Sequence, residues 1–252
     1  MSSASTAKDR QPTVDWKSPA SAIRYLPAHL LLWTIAVVGL VADLWSKAWA
    51  FRELNAGDVR ELIPRLLDAR LSLNSGALFG MGEGMVPVFI IASIAAFAFV
   101  LYLFASSSRR QRGVHVALGL IMAGAFGNLY DRTFVQYDLV RVRTADGEGE
   151  VTIIGDVIEQ GEDTIRVAPF GQTARTLRND DLAGPVKTAG VVRDFLRFTP
   201  QVAGHAVWPW VFNIADALLV AGVFLLLLSY WREARRLHCE AAEDAVDVPN
   251  VT

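Results

Sequence analysis

The sequence predicts a membrane protein, mainly α, with four transmembrane helices and external β structure that includes an inserted small β module. Three observations lead there. The 252 residues are 52% hydrophobic, with a mean hydropathy of +0.31, high for a soluble domain. Four segments are long and apolar enough to cross about 30 Å of hydrocarbon. Between the last two, a long polar stretch alternates apolar and polar residues with the period of a strand.

Residues 1–28 read as a polar cytoplasmic leader, disordered over its first part. The first span is "HLLLWTIAVVGLVADLWSKAWAF", His29 to Phe51. It has no small-residue cleavage pattern, so it does not read as a cleavable signal. The second is Val86–Ala105. The third, Gly113–Tyr130, is the weakest. The fourth is "VFNIADALLVAGVFLLLLSYW", Val211 to Trp231, beginning near Val207. Residues 29–134 thus form a membrane core and 188–232 a final segment with the last span. The tail 233–252 is acidic and expected to be loose.

Arg109, Arg110 and Arg112 lie between spans two and three, and "YWREARR" follows span four. The positive-inside rule makes that side cytoplasmic. Both termini are then cytoplasmic, and Arg52–Met85 and Asp131–Ala206 lie outside. "ARLSLNS" and the glycines of "NSGALFGMGEG" read as short strands and turns against the bilayer surface. "YDLVRVRT", "EVTIIGDVIE" and "DTIRVAP" form an inserted meander over 135–187, closed into a tiny barrel.

A net charge of −2 argues for no nucleic-acid partner. The single cysteine, Cys239, excludes an internal disulfide framework or a cysteine-rich metal site. The four histidines are scattered and no HExxH occurs, so no zinc site is expected. No GxSxG elbow or phosphate-binding GxxxxGK[ST] is present. Ser46 and Lys47 are adjacent on a helix and diverge, a poor serine–lysine dyad.

Polar residues inside spans need a reason. A charge at membrane depth costs roughly 2.5–3.5 kcal/mol on insertion scales. Asp43 and Lys47 are four apart and can pair on one face. They fit either an interfacial ion pair with Lys47 snorkelling or a brace for an external site. Gly124 and Gly127 allow another helix close. Asn128, Asp131 and Arg132 end span three. Asp131 suits capping and pairing at least as well as catalysis, and Asn128 and Asn213 could simply join helices.

Asp216 is harder to account for. It is expected about two turns into span four, with Asn213 three residues earlier on the same face. Asp194, in "GVVRDFLRF", sits in an apolar setting just before the chain re-enters the membrane. Two facing carboxylates share one proton, because both cannot ionise at a few ångströms. The ionised member takes a proton from water, and the protonated member hydrogen-bonds a scissile carbonyl. That is peptide hydrolysis without metal or covalent intermediate. A non-catalytic scaffold or lipid-binding protein is the alternative; a proton-coupled transporter fits less well, because no inverted repeat is evident.

"DLWSK" (Asp43–Lys47), "NSGALFG" (Asn74–Gly80), "AGAFGNLYDR" (Ala123–Arg132), "VVRDF" (Val191–Phe195) and "FNIAD" (Phe212–Asp216) follow one another in order. Together they resemble the lipoprotein signal peptidase family, signal peptidase II. The resemblance implies an aspartic endopeptidase of the bacterial inner membrane, needing no cofactor. It would cut just before the diacylglyceryl-modified cysteine of a prolipoprotein, among membrane lipids, as a monomer. The implied fold is four transmembrane helices with an external β-cradle and a short amphipathic roof. Asp194 and Asp216 match the family's catalytic aspartates. Asn74, Asn128, Arg132 and Asn213 match positions that line the site and hold substrate, and Asp43 and Lys47 a supporting pair; Gly76 and Asp131 are counted with the substrate-binding or supporting residues. The chain departs from the family in three ways. Arg193 is inserted before the aspartate, to be absorbed by a bulge or a register shift. Leu78 stands where a small residue is common, narrowing the lipid groove. The long insert has no family counterpart.

Overall fold

The computed structural model describes residues 19–76, 86–108, 111–144 and 149–246. Leu78, the glycines of "GMGEG", and Arg109 and Arg110 lie outside the described residues. Four helices are present among the described residues: α1 (Pro19–Glu53), α2 (Val86–Ser106), α3 (Arg112–Phe134) and α4 (Ile214–Val246). Three contain stretches long and apolar enough to cross a membrane, Leu26–Glu53, Arg112–Phe134 and Ile214–Arg236. The α3 stretch has the lowest hydropathy, 1.4, as its sequence suggests. In α2, a helix of 21 residues, the apolar stretch among the described residues is Ile90–Ser106.

Both ends of the bundle are more helical than expected. Pro19–Ala28 belongs to α1 rather than to a loose leader. A proline at a helix start gives up an N–H that would have no partner there, and its fixed φ suits the first turn. The acidic tail is helical as far as Val246, because alanine and glutamate are strong helix formers.

Helix α3 sits between α1, α2 and α4. A Cβ at Gly124 would collide with the Ala215 carbonyl of α4, and one at Gly127 with the Asp43 carboxylate of α1. These glycines are where three backbones meet. Below them Leu32, Val100, Leu118 and Met122 form one apolar core.

Two main sheets lie beyond the helix ends. The first has the order β1-β2-β8-β11, built from β1 (Arg60–Ile63), β2 (Leu67–Asn74), β8 (Val192–Phe198) and β11 (Val211–Phe212). All its pairs are antiparallel. Arg197 and Asp68 face each other across β8 and β2 and close an ion pair at 2.6 Å. Phe195 and Leu196 of β8 pack with Ala69 and Leu71 of β2 and with Ala50 of α1, which seats the sheet on the bundle.

The second sheet has the order β6-β5-β4-β3-β7. It comprises β3 (Gln136–Arg143), β4 (Glu150–Gln160), β5 (Thr164–Pro169), β6 (Arg175–Arg178) and β7 (Lys187–Gly190). The three expected strands are β3, β4 and β5. It is an open sheet rather than a closed barrel, with β6 and β7 at its two edges, and it runs past Lys187 to Gly190. Val140, Ile153, Ile165 and Val167 form its own core. Phe170 joins it to the bundle, with ring centroids 5.7 Å from Phe51 and 6.1 Å from Tyr137. A two-strand hairpin, β9 (Gln201–Val202) and β10 (His205–Ala206), follows β8.

Candidate active site

The start of α4 differs from the sequence expectation. The span is expected from near Val207, but Val211 and Phe212 are strand and the helix begins at Ile214. Asn213 is the cap. Its Oδ1 accepts the Asp216 N–H at 3.0 Å, and Asp216 Oδ2 accepts the Asn213 N–H at 3.1 Å. This reciprocal pair is a capping box. Asp216 is therefore in the first turn of α4, not two turns in. A carboxylate there also meets the positive end of the helix dipole.

Asp194 comes from β8. Strand alternation sends Val192 and Asp194 to one face and Arg193 to the other. Val192, Asp194 and Asp216 line the same cavity, of about 720 Å³. Asn213 links the two acids: its Nδ2 donates to Asp194 Oδ1 at 2.6 Å. Asn74, at the end of β2, donates its Nδ2 to Asp194 Oδ2 at 3.2 Å. The Asn74 amide is oriented in turn by the Gly76 N–H, which donates to its Oδ1 at 3.0 Å.

The inserted Arg193 leaves Asp194 on the cavity face. The irregularity lies in the facing strand β2, between Ala69 and Ser72, while Asp194 pairs with Ser72 and Arg193 with Leu73. A bulge in one strand adds a residue opposite its partner without reversing the partner's faces. Arg193 itself turns to α3. Its Nη2 and Nε reach Asp131 Oδ1 at 2.7 and 3.2 Å, and its N–H reaches Asp131 Oδ2 at 3.0 Å.

Asp131 is fully buried and spent on this clasp and on Lys47, 3.2 Å away. Asp43 and Lys47 are also fully buried, 2.8 Å apart, so Lys47 does not snorkel. Its ammonium makes ion pairs with Asp43 Oδ2 and Asp131 Oδ2 and donates to Asn128 Oδ1 at 3.2 Å. Asp43 Oδ1 accepts the Ala215 N–H of α4 at 2.8 Å. The pair thus joins α1 to the start of α4.

Lys47 also sets the direction of the network. A lysine only donates, so Asn128 must turn its Oδ1 toward it. Asn128 Nδ2 is left for Asp216 Oδ1, at 2.8 Å. Asn213 Nδ2 donates to the same Asn128 Oδ1 at 3.2 Å. The two asparagines thus do more than join helices, since both end on the carboxylates. Arg132 lines the cavity and donates Nη2 to the Gly76 carbonyl at 3.1 Å, tying the end of β2 to α3.

Burial pushes the Asp194 carboxyl up to about 7, and the negative charge of Asp216 adds to this; the amides of Asn213 and Asn74 oppose it. A carboxyl so shifted keeps a proton near neutrality. Among the cavity residues that sequence reasoning missed are Glu150 and Thr152 of β4, and Trp208 and Trp210 before β11. Only their exposure to a shared cavity marks them, and that is set by tertiary structure.

Comparison with known proteins gives this geometry a family. A protein described as a lipoprotein signal peptidase from Rhodopirellula baltica is 36% identical over 217 residues, 84% of this chain and 77% of that protein. One from Desulfitobacterium hafniense is 27% identical over 208 residues, 82% of this chain and 97% of that protein. One from Clostridium novyi is 31% identical over 103 residues, 41% of this chain and 70% of that protein. The fold is similar to a solved bacterial membrane enzyme, with a TM-score of 0.51 at 23% identity over 80% of this chain and 87% of that one. The model of signal peptidase (SPase) II matches residues 35–232, a span that takes in every residue of the carboxylate network, and the chain belongs to that family.

Proposed function

We propose that this protein removes the signal peptide of prolipoproteins by hydrolysing the bond just before the diacylglyceryl-modified cysteine, with Asp194 and Asp216 as the catalytic pair. One observation carries the reading: two carboxylates line one cavity and are joined through a single asparagine, Asn213. A scaffold gives no reason to hold two acids on the wall of an open cavity.

The pair shares one proton, and burial makes Asp194 its better seat. Asp216 accepts from Asn128 and from the Asn213 backbone, which suits the ionised form. Asp216 takes a proton from water as the oxygen attacks the scissile carbonyl carbon. The Asp194 proton moves to the carbonyl oxygen, giving a tetrahedral diol. Collapse of the diol breaks the C–N bond, and the proton held by Asp216 passes to the amine of the cysteine. The other proton returns to Asp194. The reaction needs only water and the shared proton, so the enzyme is an aspartic endopeptidase that works without a metal.

In this reading all four helices cross the bacterial inner membrane, α2 included, with both termini cytoplasmic. The four-stranded sheet is an external cradle, and the five-stranded sheet is an inserted module at the outer surface. Asp216, in the first turn of α4, then lies shallow in the outer leaflet. That is where the lipid-modified cysteine of a prolipoprotein would present its bond. The working unit is a monomer, since Asp194, Asp216 and their amide partners all come from one chain.

The purified protein, given a diacylglyceryl prolipoprotein in detergent, should release the signal peptide and leave the modified cysteine as the new N-terminus. Release of no peptide, or cutting at another bond, overturns the proposal.

A further inference from the structure

The five-stranded module reaches the cavity that holds the carboxylates. Glu150 and Thr152, the first and third residues of β4, line it. Residues two apart on a strand share a face, so the start of β4 presents two polar side chains to the site. The rest of the cavity wall comes from the four-stranded sheet, from α3 and α4, and from Ser75, Gly76, Trp208 and Trp210 in the connections beside them.

The cavity lining is chemically mixed. Leu219 and Val220 of α4 line it, and Val220 is exposed on a helix surface of membrane-spanning composition. Glu150 and Thr152 of β4 line it too, together with Asp194 and Asp216. A substrate with one apolar and one polar side would set the apolar side against α4 and the polar side against β4.

Resting on the signal peptidase reading, we infer that Glu150, with Thr152 beside it, is a specificity-determining residue that reads the charge of the polypeptide just beyond the modified cysteine. The signal peptide is the apolar side of the substrate and belongs against Leu219 and Val220. The mature segment is the polar side and belongs against Glu150 and Thr152. A carboxylate there favours lysine or arginine and disfavours aspartate or glutamate. Glu150 is half-exposed, and its pair with Arg141 is long, 3.5 Å, between exposed groups. Such pairs contribute little, so a cationic substrate residue can replace Arg141 without displacing a strong bond. Thr152 adds a hydroxyl that can donate to or accept from a peptide group.

The test uses three diacylglyceryl prolipopeptides that differ only in having lysine, glutamine or aspartate two residues after the cysteine. The kcat/KM of each is measured with the full-length protein, with Glu150→Gln and with Glu150→Lys. The wild type should prefer lysine over aspartate by about three- to fivefold, the size of an exposed charge pair. Glu150→Gln should bring that ratio near one, and Glu150→Lys should invert it. Raising the salt concentration should shrink the wild-type ratio. Each ratio is internal to one variant, so a change in the amount of folded protein does not move it. A ratio that stays the same in all three proteins overturns the inference alone. A wild type that cleaves none of the peptides overturns the parent reading and the inference with it.

Discussion

Asn213 donates its side-chain amide to Asp194 at 2.6 Å while capping the helix that carries Asp216, 3.0 Å from its N–H. One residue therefore sets both the start of α4 and the position of a strand carboxyl. The two roles separate by mutation. Asn213→Ala loses both and should cost about 1 kcal/mol of stability for the cap and on the order of 100-fold or more in kcat. Asn213→Ser keeps a capping oxygen but has no amide for Asp194. Serine should restore the stability and not the rate, as read by thermal unfolding and cleavage in the same detergent. Recovery of both by serine would mean that the Asp194 contact is incidental.

Arg193 and Asp131 predict a stability effect with little chemistry in it. Arg193→Ala leaves a fully buried carboxylate with Lys47 as its remaining ion-pair partner, and breaking a buried pair from one side costs about 3–5 kcal/mol. Adding Asp131→Asn removes the uncompensated charge and should return part of that loss. A double-mutant cycle by thermal or denaturant unfolding measures the coupling. Additive losses would show that the clasp holds nothing together.

The Asp194 proton predicts a pH dependence of stability. Its folded pKa of about 7 lies above the ordinary value of roughly 3.9 for an unfolded aspartate. Between those values the folded chain binds a proton that the unfolded chain releases. The contribution is therefore present below about pH 4 and fades as the pH rises toward 7. Asp194→Asn removes this term. The wild type should thus lose stability relative to the variant across that window, by up to about 4 kcal/mol. Cleavage by the wild type should fall as the pH rises through about 7, because the shared proton is lost. Parallel unfolding curves for the two proteins would contradict the shift.

Gly127→Ala probes the brace. Its Cβ would meet the Asp43 carboxylate, which holds the Ala215 N–H and Lys47. Overpacking of this kind costs about 1–3 kcal/mol. The displacement should pass through Lys47 and Asn128 to Asp216 and lower kcat more than KM. A variant with normal kcat would show that the brace tolerates movement.

Much of the site can be read from local spacing. Asp43 and Lys47 pair because residues four apart share a helix face, and the order of the five motifs identified the family. The depth of Asp216 could not be read that way. Hydropathy sees an apolar run from Val211, whereas the Asn213 cap and the strand pairing of Phe212 with Leu196 decide where the helix begins. The partner of Arg193 was equally hidden. Asp131 is 62 residues away in sequence, across the whole five-stranded module, and only the assembled fold brings them together. The bulge that preserves the face of Asp194 lies in β2, not in the strand with the extra residue. Glu150 reached the cavity through the same long-range assembly.

The central claim is that Asp194 and Asp216 act as one catalytic pair. Single-turnover cleavage of a diacylglyceryl prolipoprotein by Asp194→Asn, Asp216→Asn and the double variant tests it most directly, with folding checked on the same samples. Each single variant should lose about 1,000-fold or more in rate, and the double variant should be little worse than either, because the two acids work as a unit. A single variant that is folded and cleaves at the wild-type rate would contradict the account.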